Sequence, residues 1–486
     1  MAQIANSPVK DSSKYEEAAA EVDVLMARGR EAQAVIANYS QEQVDELLLA
    51  VGWAVYKNRE AIGQLAVDEG GFGNVPDKIG KMENRVLGTL QSLQGVKSVG
   101  IVEEDPERGL VKIAKPVGVV AALIPTTGPD ATPPVKALGA LKGRNAIVVA
   151  PHPRTKATSK LVVDVMRAAC AQVNAPQDLI QVIEQPSLDK TNVLMKRADL
   201  IVATGGAGMV HAAYSSGTPA YGVGVGNSVH VVDETADLDD AAQMIAKAKT
   251  FDYATSCLAD NAVVAHESIY GDLRAKLGAA GGYFCSPEEK QLLQKAMWPD
   301  GGHIPTIDVI ARSAAHVAEL AGFSVPEEAR FLVVEESGYG KECPFSGEKL
   351  SVVLSLYSYS GAIENAVAIV NGITEYQGQG HTCGIHTSSD EHVTALAMHT
   401  KTARVMVNQN LNEGAGSPRN GLPYTLSLSC GTWGGNITTE NVNARHYVNL
   451  TWVSRPIAPK DTSLKSIFAP LAAKRPFIVG EDELSG

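Results

Sequence analysis

From residue 117 to 206, short apolar runs rich in β-branched residues alternate with segments of helical pattern. The runs are VGVVAALIP (117–125), NAIVVAPHP (145–153), LIQVIEQP (179–186) and ADLIVATGG (198–206). Between the first three lie PPVKALGALKG (133–143) and KATSKLVVDVMRAACAQV (156–173), with apolar residues three and four apart. A strand that is apolar at every position is buried on both faces, and a parallel return needs a crossover helix, so this stretch predicts an α/β fold with a parallel sheet covered on both sides. After Asp233 the alternation resumes with DDAAQMIAKAKTFDY, NAVVAHESIY, RFLVVEE, LSVVLSLYSY, GAIENAVAIVNGI, HTCGIHT and ARVMVNQN, which predicts a second α/β domain from about residue 226. A chain of 486 residues, 45% of them hydrophobic, has length for two or three cores. Ahead of the alternation, Lys14 to about Gly71 reads as helix with Ser40 as a cap, and SVGIVEEDPERGLVKIAKP (98–116) reads as a β-hairpin around Pro-Glu-Arg-Gly.

The net charge of −12 argues against nucleic acid or an anionic membrane as the main partner, while leaving room for a local basic pocket. The N-terminus lacks the charged-then-apolar pattern of a secretory signal, and no apolar run reaches the length of a membrane span. An intracellular, cytoplasmic protein is expected. The six cysteines, at 170, 257, 285, 343, 383 and 430, show no C-x-x-C spacing, so neither a disulfide framework nor a zinc site is indicated.

Several short motifs can carry chemistry. ATGGAGMV (203–210) follows a strand and opens a helix, so the N–H groups after Gly205 and Gly206 can receive a pyrophosphate; a tight turn alone explains the glycines equally well. In APHPR (150–154), His152, Pro153 and Arg154 follow a strand end, where ligands of open α/β sheets gather, or they simply stop the strand. IPTTGP (124–129) sets Thr126 and Thr127 in a rigid turn with hydroxyl donors. YGVGVGN (221–227), with Gly224 at its centre, is too rich in glycine for an ordinary strand and contains no carboxylate. In TFDYATSC (250–257), Cys257 lies between a helix and a strand, where a thiol can be presented as a nucleophile; taken alone it reads more readily as a small packing residue.

Together with GEKLSVVLSLY, GQGHTCGIHT and LSLSCGTWGGNITTEN, these motifs stand in an order that resembles the CoA-acylating branch of the aldehyde dehydrogenase superfamily over about residues 30–455. The resemblance implies a Rossmann-like NAD(P)-binding domain (14–225) carrying the inserted hairpin, an α/β catalytic domain (226–440), an oligomerisation strand (441–456) that includes NARHYVNLTWVSRP (443–456), and a tail (457–486). It implies Cys257 as the nucleophile that forms a thioester, Thr127 and the Cys257 N–H as oxyanion donors, and Glu348 on the nicotinamide ribose. It places Thr126, His152, Pro153, Arg154, Gly205, Gly206 and Gly224 along the cofactor, and His381 in proton transfer or in aligning CoA. Hydrolytic relatives carry a glutamate in the segment that is YGVGVGN here; without a base for water, the thioester would wait for the thiol of CoA. The nearest resemblance is to enzymes acting on succinic semialdehyde and sulfoacetaldehyde, and Arg419, in a loop near the substrate entrance, would pair with the anionic group. Gly128 stands where many relatives have asparagine, and the tail has no clear counterpart.

The expected protein is a homodimer or higher oligomer using NAD or NADP, with CoA as co-substrate and a small aldehyde or acyl-CoA as substrate. The tail is expected to dock to an enzyme assembly, such as a bacterial microcompartment. The competing readings are a hydrolytic semialdehyde dehydrogenase, an acylating enzyme for acetaldehyde or propanal, and a non-catalytic nucleotide binder.

Overall fold

The computed structural model describes residues 12–479 and 483–484. The opening MAQIANSPVKD and positions 480–482 and 485–486 of the tail lie outside the described residues. Two compact units emerge, one of residues 1–98 and 115–449, the other of 99–114 and 450–486. In the smaller unit β1 (Gly100–Asp105) and β2 (Leu110–Pro116) form an antiparallel hairpin with Gly100 opposite Ala114. Gly109 closes its turn at φ +64°, a conformation open to glycine at little cost.

The larger unit begins with four helices, Ser12–Ile36, Gln41–Lys57, Arg59–Gly70 and Val75–Leu93. Ser40 caps the second with a capping box: its hydroxyl accepts the Gln43 N–H at 3.3 Å, and the Gln43 side chain accepts the Ser40 N–H at 2.9 Å. The first alternating stretch folds into β3 (Val119–Leu123), β4 (Ala146–Ala150), β5 (Ile180–Val182), β6 (Leu200–Thr204) and β7 (Ala220–Val223), a parallel sheet ordered β5-β4-β3-β6-β7. Every residue of β3 and β4 is buried, as their unbroken apolar runs require. The chain winds outward from β3 to β5 and then returns to place β6 on the other side of β3, so the strand order reverses between β3 and β6. Crevices form at the carboxyl ends of strands at such a reversal.

The second stretch makes β8 (Val229–Val232), β9 (Ala262–His266), β10 (Gly282–Phe284), β11 (Phe331–Glu335), β12 (Val353–Tyr359), β13 (Gly380–His386) and β14 (Thr402–Val407). They form a parallel sheet ordered β10-β11-β12-β9-β8-β13-β14. One apolar core joins Ile245 of the helix Leu238–Thr250 to Val263, Val333 and Leu354; another joins Val231, Val264 and Ile385 to the helix Ile363–Tyr376.

Two sequence expectations need correction. YGV of YGVGVGN is strand, the outer β7, because its neighbour β6 offers a free ladder edge; only the residues beyond Val223 leave the sheet. In NARHYVNLTWVSRP the first residues are a helical turn, Ala444–Tyr447, capped by the Asn443 side chain on the Arg445 N–H. Only β15 (Val448–Ser454) is extended, and it joins the hairpin in the order β1-β2-β15. No helix among the described residues is long and apolar enough to cross a membrane.

Candidate active site

Four neighbouring strands of the second sheet, β12, β9, β8 and β13, bring their amino ends together. Glu348 lies just before β12, Cys257 before β9, Gly226 before β8, and His381 is the second residue of β13. Residues far apart in sequence are thereby gathered on one edge. The edge is the amino one, opposite to the carboxyl ends where sequence reasoning looks for ligands.

The turn that presents Cys257 is strained. Asp252, Tyr253 and Ala254 have φ of 50°, 50° and 62°, three consecutive non-glycine residues in left-handed conformation, at a cost of about 1–2 kcal/mol each. Asp252 holds them. Its fully buried carboxylate lies 2.9 Å from both Lys78 Nζ and Lys81 Nζ, and it accepts the Asn74 N–H at 3.2 Å and the Thr255 hydroxyl at 2.7 Å. Burial pushes the Asp252 carboxyl up, but the two ammonium groups outweigh it and hold it below its ordinary range. Lys78 also donates to the Thr127 carbonyl at 3.2 Å, so one lysine ties the PTTGP loop to the cysteine turn.

Cys257 Sγ lies 3.2 Å from His381 Nε2. Burial, with smaller contributions from Glu348 and Cys430, pushes the thiol up to about 12. Burial and the Arg404 guanidinium push the buried imidazole down to about 3, and its Nδ1 has no partner among the described residues. Burial thus disfavours both the thiolate and the imidazolium, so direct proton transfer from sulfur to imidazole is opposed on both sides. The His381 ring beside the thiol is therefore neutral.

Gly226 is where the backbone must come close. A Cβ there would stand 2.5 Å from Glu348 Oε1 and 2.6 Å from Cys257 Cβ. Its N–H donates to Glu348 Oε1 at 3.0 Å. Burial raises Glu348 to about 7, against the opposing pull of that N–H and of Lys349. The Gly224 N–H donates to Asn436 Oδ1, which also accepts the Cys430 N–H, and a Cβ at 224 would stand 3.1 Å from Cys430 Sγ. The structure thus packs Gly224 against the SCGTWGGN motif.

At the order reversal of the first sheet, β3 runs into Thr126 and Thr127 and β6 into Gly205 and Gly206. Buried Lys136 bridges the two strand ends, donating to Leu123 O at 2.6 Å and Val202 O at 2.9 Å. The helix Ala207–Ser215 starts at Gly206 without a side-chain cap, and a Cβ on Gly206 would meet nothing within 4 Å. Open space before uncapped N–H groups fits a pyrophosphate. His152, Pro153 and Arg154 are exposed on a short turn after β4; His152 Nδ1 accepts the Arg154 N–H, and the Arg154 guanidinium lies 5.2 Å from the Phe72 ring centre. The N-terminus of the helix that follows is filled by Glu69, whose carboxylate takes the Ala157 and Thr158 N–H groups.

Arg419 is exposed beside a cavity of about 540 Å³ whose lining includes Pro418, Asn420, Tyr424 and Arg445, but Arg419 is not itself part of that lining. Arg445 is paired with Glu440. A second cavity, of about 10 Å³, is lined by Cys257, Glu348 and Lys249 among others. Sequence reasoning missed Asp252, Lys78, Lys81, Lys249 and Arg404. Of these only Asp252 left a signal, as the acid inside TFDYATSC.

One α/β unit thus holds uncapped helix N–H groups at a strand-order reversal and a thiol 3.2 Å from a buried imidazole. The chain belongs to the aldehyde dehydrogenase family, whose model matches residues 8–281, and is an oxidoreductase of that family. It is similar to the sulfoacetaldehyde dehydrogenase of Acholeplasma sp, with 47% identity over 91% of this chain and 92% of that one. The sulfoacetaldehyde dehydrogenase (acylating) of Bilophila wadsworthia (strain 3_1_6) is 46% identical over 90% of this chain and 96% of that one. Among solved structures, an acetylating aldehyde dehydrogenase from Geobacillus thermoglucosidasius superposes with a TM-score of 0.89, at 36% identity, covering 93% of this chain and 100% of that one.

Proposed function

We propose that the protein oxidises a short anionic aldehyde to its acyl-CoA with NAD(P)+, through a thioester on Cys257. The observation that carries this reading is the packing of Gly226 directly onto Cys257 and Glu348, in a segment with no carboxylate to activate water. In the forward direction the Cys257 thiolate adds to the aldehyde carbon, and the Cys257 N–H and the Thr127 hydroxyl receive the oxygen as it becomes negative. A bound nicotinamide supplies the hydride acceptor that turns this adduct into a thioester. Glu348 and the uncapped N–H groups after Gly206 hold the two ends of the dinucleotide, with Thr126, His152, Pro153 and Arg154 beside it. His381 keeps the sulfur aimed. The CoA thiol then attacks the thioester carbon and displaces Cys257.

Sulfoacetaldehyde is the favoured substrate and succinic semialdehyde the next. The names of the two relatives support an anionic aldehyde, and Arg419, exposed on the loop beside the larger cavity, is the arginine assigned to the anion. We assign residues 14–225 to nucleotide binding and 226–440 to catalysis. The β1-β2-β15 sheet is assigned to subunit contact because it exposes Ile101, Leu450 and Trp452. The tail helix Leu464–Lys474 exposes Leu464, Ile467, Phe468 and Leu471 on one stripe, which supports a docking role.

The test is NAD(P)H formation from sulfoacetaldehyde, succinic semialdehyde and acetaldehyde, with each cofactor, with and without CoA. CoA-dependent turnover that Cys257→Ala abolishes is expected, with sulfoacetaldehyde fastest and its preference weakened in Arg419→Ala. Turnover that ignores CoA would overturn the acyl-transfer reading.

A further inference from the structure

Catalysis at Cys257 requires a home for the thiol proton, and the adjoining imidazole of His381 is held neutral by burial and by Arg404. The roughly 10 Å³ cavity is about the size that holds one water, and Cys257, Ser256, Asn227, Asn261, Glu348 and Lys249 stand around it. Lys249, in the last turn of the helix Leu238–Thr250, is 1% exposed, and its ammonium makes no hydrogen bond among the described residues. The other buried lysine of this region, Lys349, is in the opposite situation: it donates to Phe345 O, Gly347 O and Ser355 Oγ. A lysine 1% exposed that lines a polar hole behind Cys257, with no carboxylate bonded to it among the described residues, is not explained by packing.

Resting on the reading of Cys257 as nucleophile, the geometry points to Lys249 as the proton-relay residue that takes the Cys257 thiol proton through one water in this cavity. The S–H bond breaks, the water passes a proton on, and an N–H bond forms on the neutral amine. The electron pair stays on sulfur. Thiol and amine become thiolate and ammonium, so the site gains an attracting pair and no net charge. Glu348 lines the same cavity, but while ionised its charge opposes a thiolate. Burial lowers Lys249 to about 7, with Asp260 pulling the other way, so the amine is a base at neutral pH. The charged groups around it are Asp260, whose other neighbour is His230, together with Lys349 and Glu348; the packed 411–415 turn carries Glu413, and Arg330 binds Thr250 at the helix end. Once the thioester forms, the ammonium returns its proton to solvent, accounting for the proton released in aldehyde oxidation.

The test is the pH dependence of Cys257 alkylation by iodoacetamide in the full-length protein, which needs neither aldehyde nor CoA and so stands apart from the function assay. Wild type should show an inflection near pH 7. Lys249→Met should lose it and react about tenfold or more slowly at pH 7.5, with the rates converging at high pH. A purely structural role would lower the rate equally at every pH and would overturn the relay. Loss of the inflection in Glu348→Gln, with Lys249→Met unchanged, would also overturn it in favour of the carboxylate. Should Lys249→Met fail to fold, NMR of [ε-15N]lysine wild type decides: a lysine titrating near 7 whose signal moves when Cys257 is alkylated supports the relay, and its absence refutes it.

Discussion

Asp252→Asn tests whether the turn before Cys257 is held by charge. The substitution keeps the shape but removes the carboxylate that neutralises Lys78 and Lys81, leaving the fully buried Lys78 without its 2.9 Å partner. Lys81 retains Asp130 at 3.3 Å. Removing one member of a buried ion pair costs about 3–5 kcal/mol. That is comparable with the strain of about 1–2 kcal/mol per residue that Asp252, Tyr253 and Ala254 carry at positive φ. The turn should relax, and Cys257 should move off the line to His381 Nε2. At about 2.1 cal/mol/K of unfolding entropy per residue, a chain of 486 residues shifts by about 1 °C per kcal/mol, so thermal unfolding should fall by about 3–5 °C, and alkylation of Cys257 should lose its site-specific rate. In a double-mutant cycle with Lys81→Met, the two effects should be less than additive by at least about 1 kcal/mol, as for contacting groups. If Asp252→Asn leaves both melting temperature and alkylation unchanged, the turn is held by something other than this ion-pair cluster.

Gly226→Ala should lower kcat about 100-fold, because its Cβ would collide with Glu348 and Cys257 and a shift of about 1 Å suffices for that loss; steady-state kinetics beside a melting curve separates this from unfolding. Gly206→Ala should leave stability unchanged or raise it by about 0.4–1 kcal/mol, since φ is −64° and the space is open. Its KM for the dinucleotide should still rise about tenfold, the loss expected when one charged hydrogen bond of about 1.5–3 kcal/mol is weakened. His381 and His386, lowered by burial to about 3 and about 2, stay neutral in the folded chain but take up protons below about pH 6.5 when it unfolds. Their stability contribution is therefore present above pH 6.5 and lost as pH falls, by about 2 kcal/mol each at pH 5. Glu348, raised to about 7, has the opposite slope between about 4.5 and 7. Chemical denaturation of wild type should thus show stability rising with pH between about 5 and 6.5, and His386→Gln should flatten that rise.

The two sheets were legible because a strand buried on both faces must be apolar throughout, and VVAAL and AIVVA are. Ser40 was legible because its partner Gln43 is three residues away. The contacts that make the site are not local. His381 meets Cys257 across 124 residues, and Lys81 meets Asp252 across 171. Lysine is the side chain least expected inside a protein, so its burial at 78, 136, 142, 249 and 349 could not be read from composition. In AKAKT, Lys247 is exposed while Lys249, 200° further round the helix, is buried; only the tertiary fold decides which. Arg404 shows the same limit. Its guanidinium is satisfied by Thr382, Ser429, Thr439 and Asn441, four neutral partners from distant segments, so its charge is left to act on Cys257 and Cys430.

In the proposed reaction, YGVGVGN links the two opposite strand ends. It leaves β7 at its carboxyl end, Val223, and enters β8 at its amino end, Val229. In that short crossing the chain passes from the edge of the first sheet that carries Gly206 and Thr127 to the edge of the second that carries Cys257, Glu348 and His381. Gly224 passes against Cys430, and Gly226 against Cys257 itself. A Cβ at 226 would collide with Cys257 and Glu348, while one at 224 would be tight against Cys430 Sγ at 3.1 Å, so position 226 leaves no room for a carboxylate beside Cys257. Gly226→Glu would therefore displace Cys257 before it could serve as a base for water. Such a variant should lose acyl transfer without gaining hydrolysis, measurable as CoA-independent acid formation. A hydrolytic Gly226→Glu enzyme would refute the steric argument.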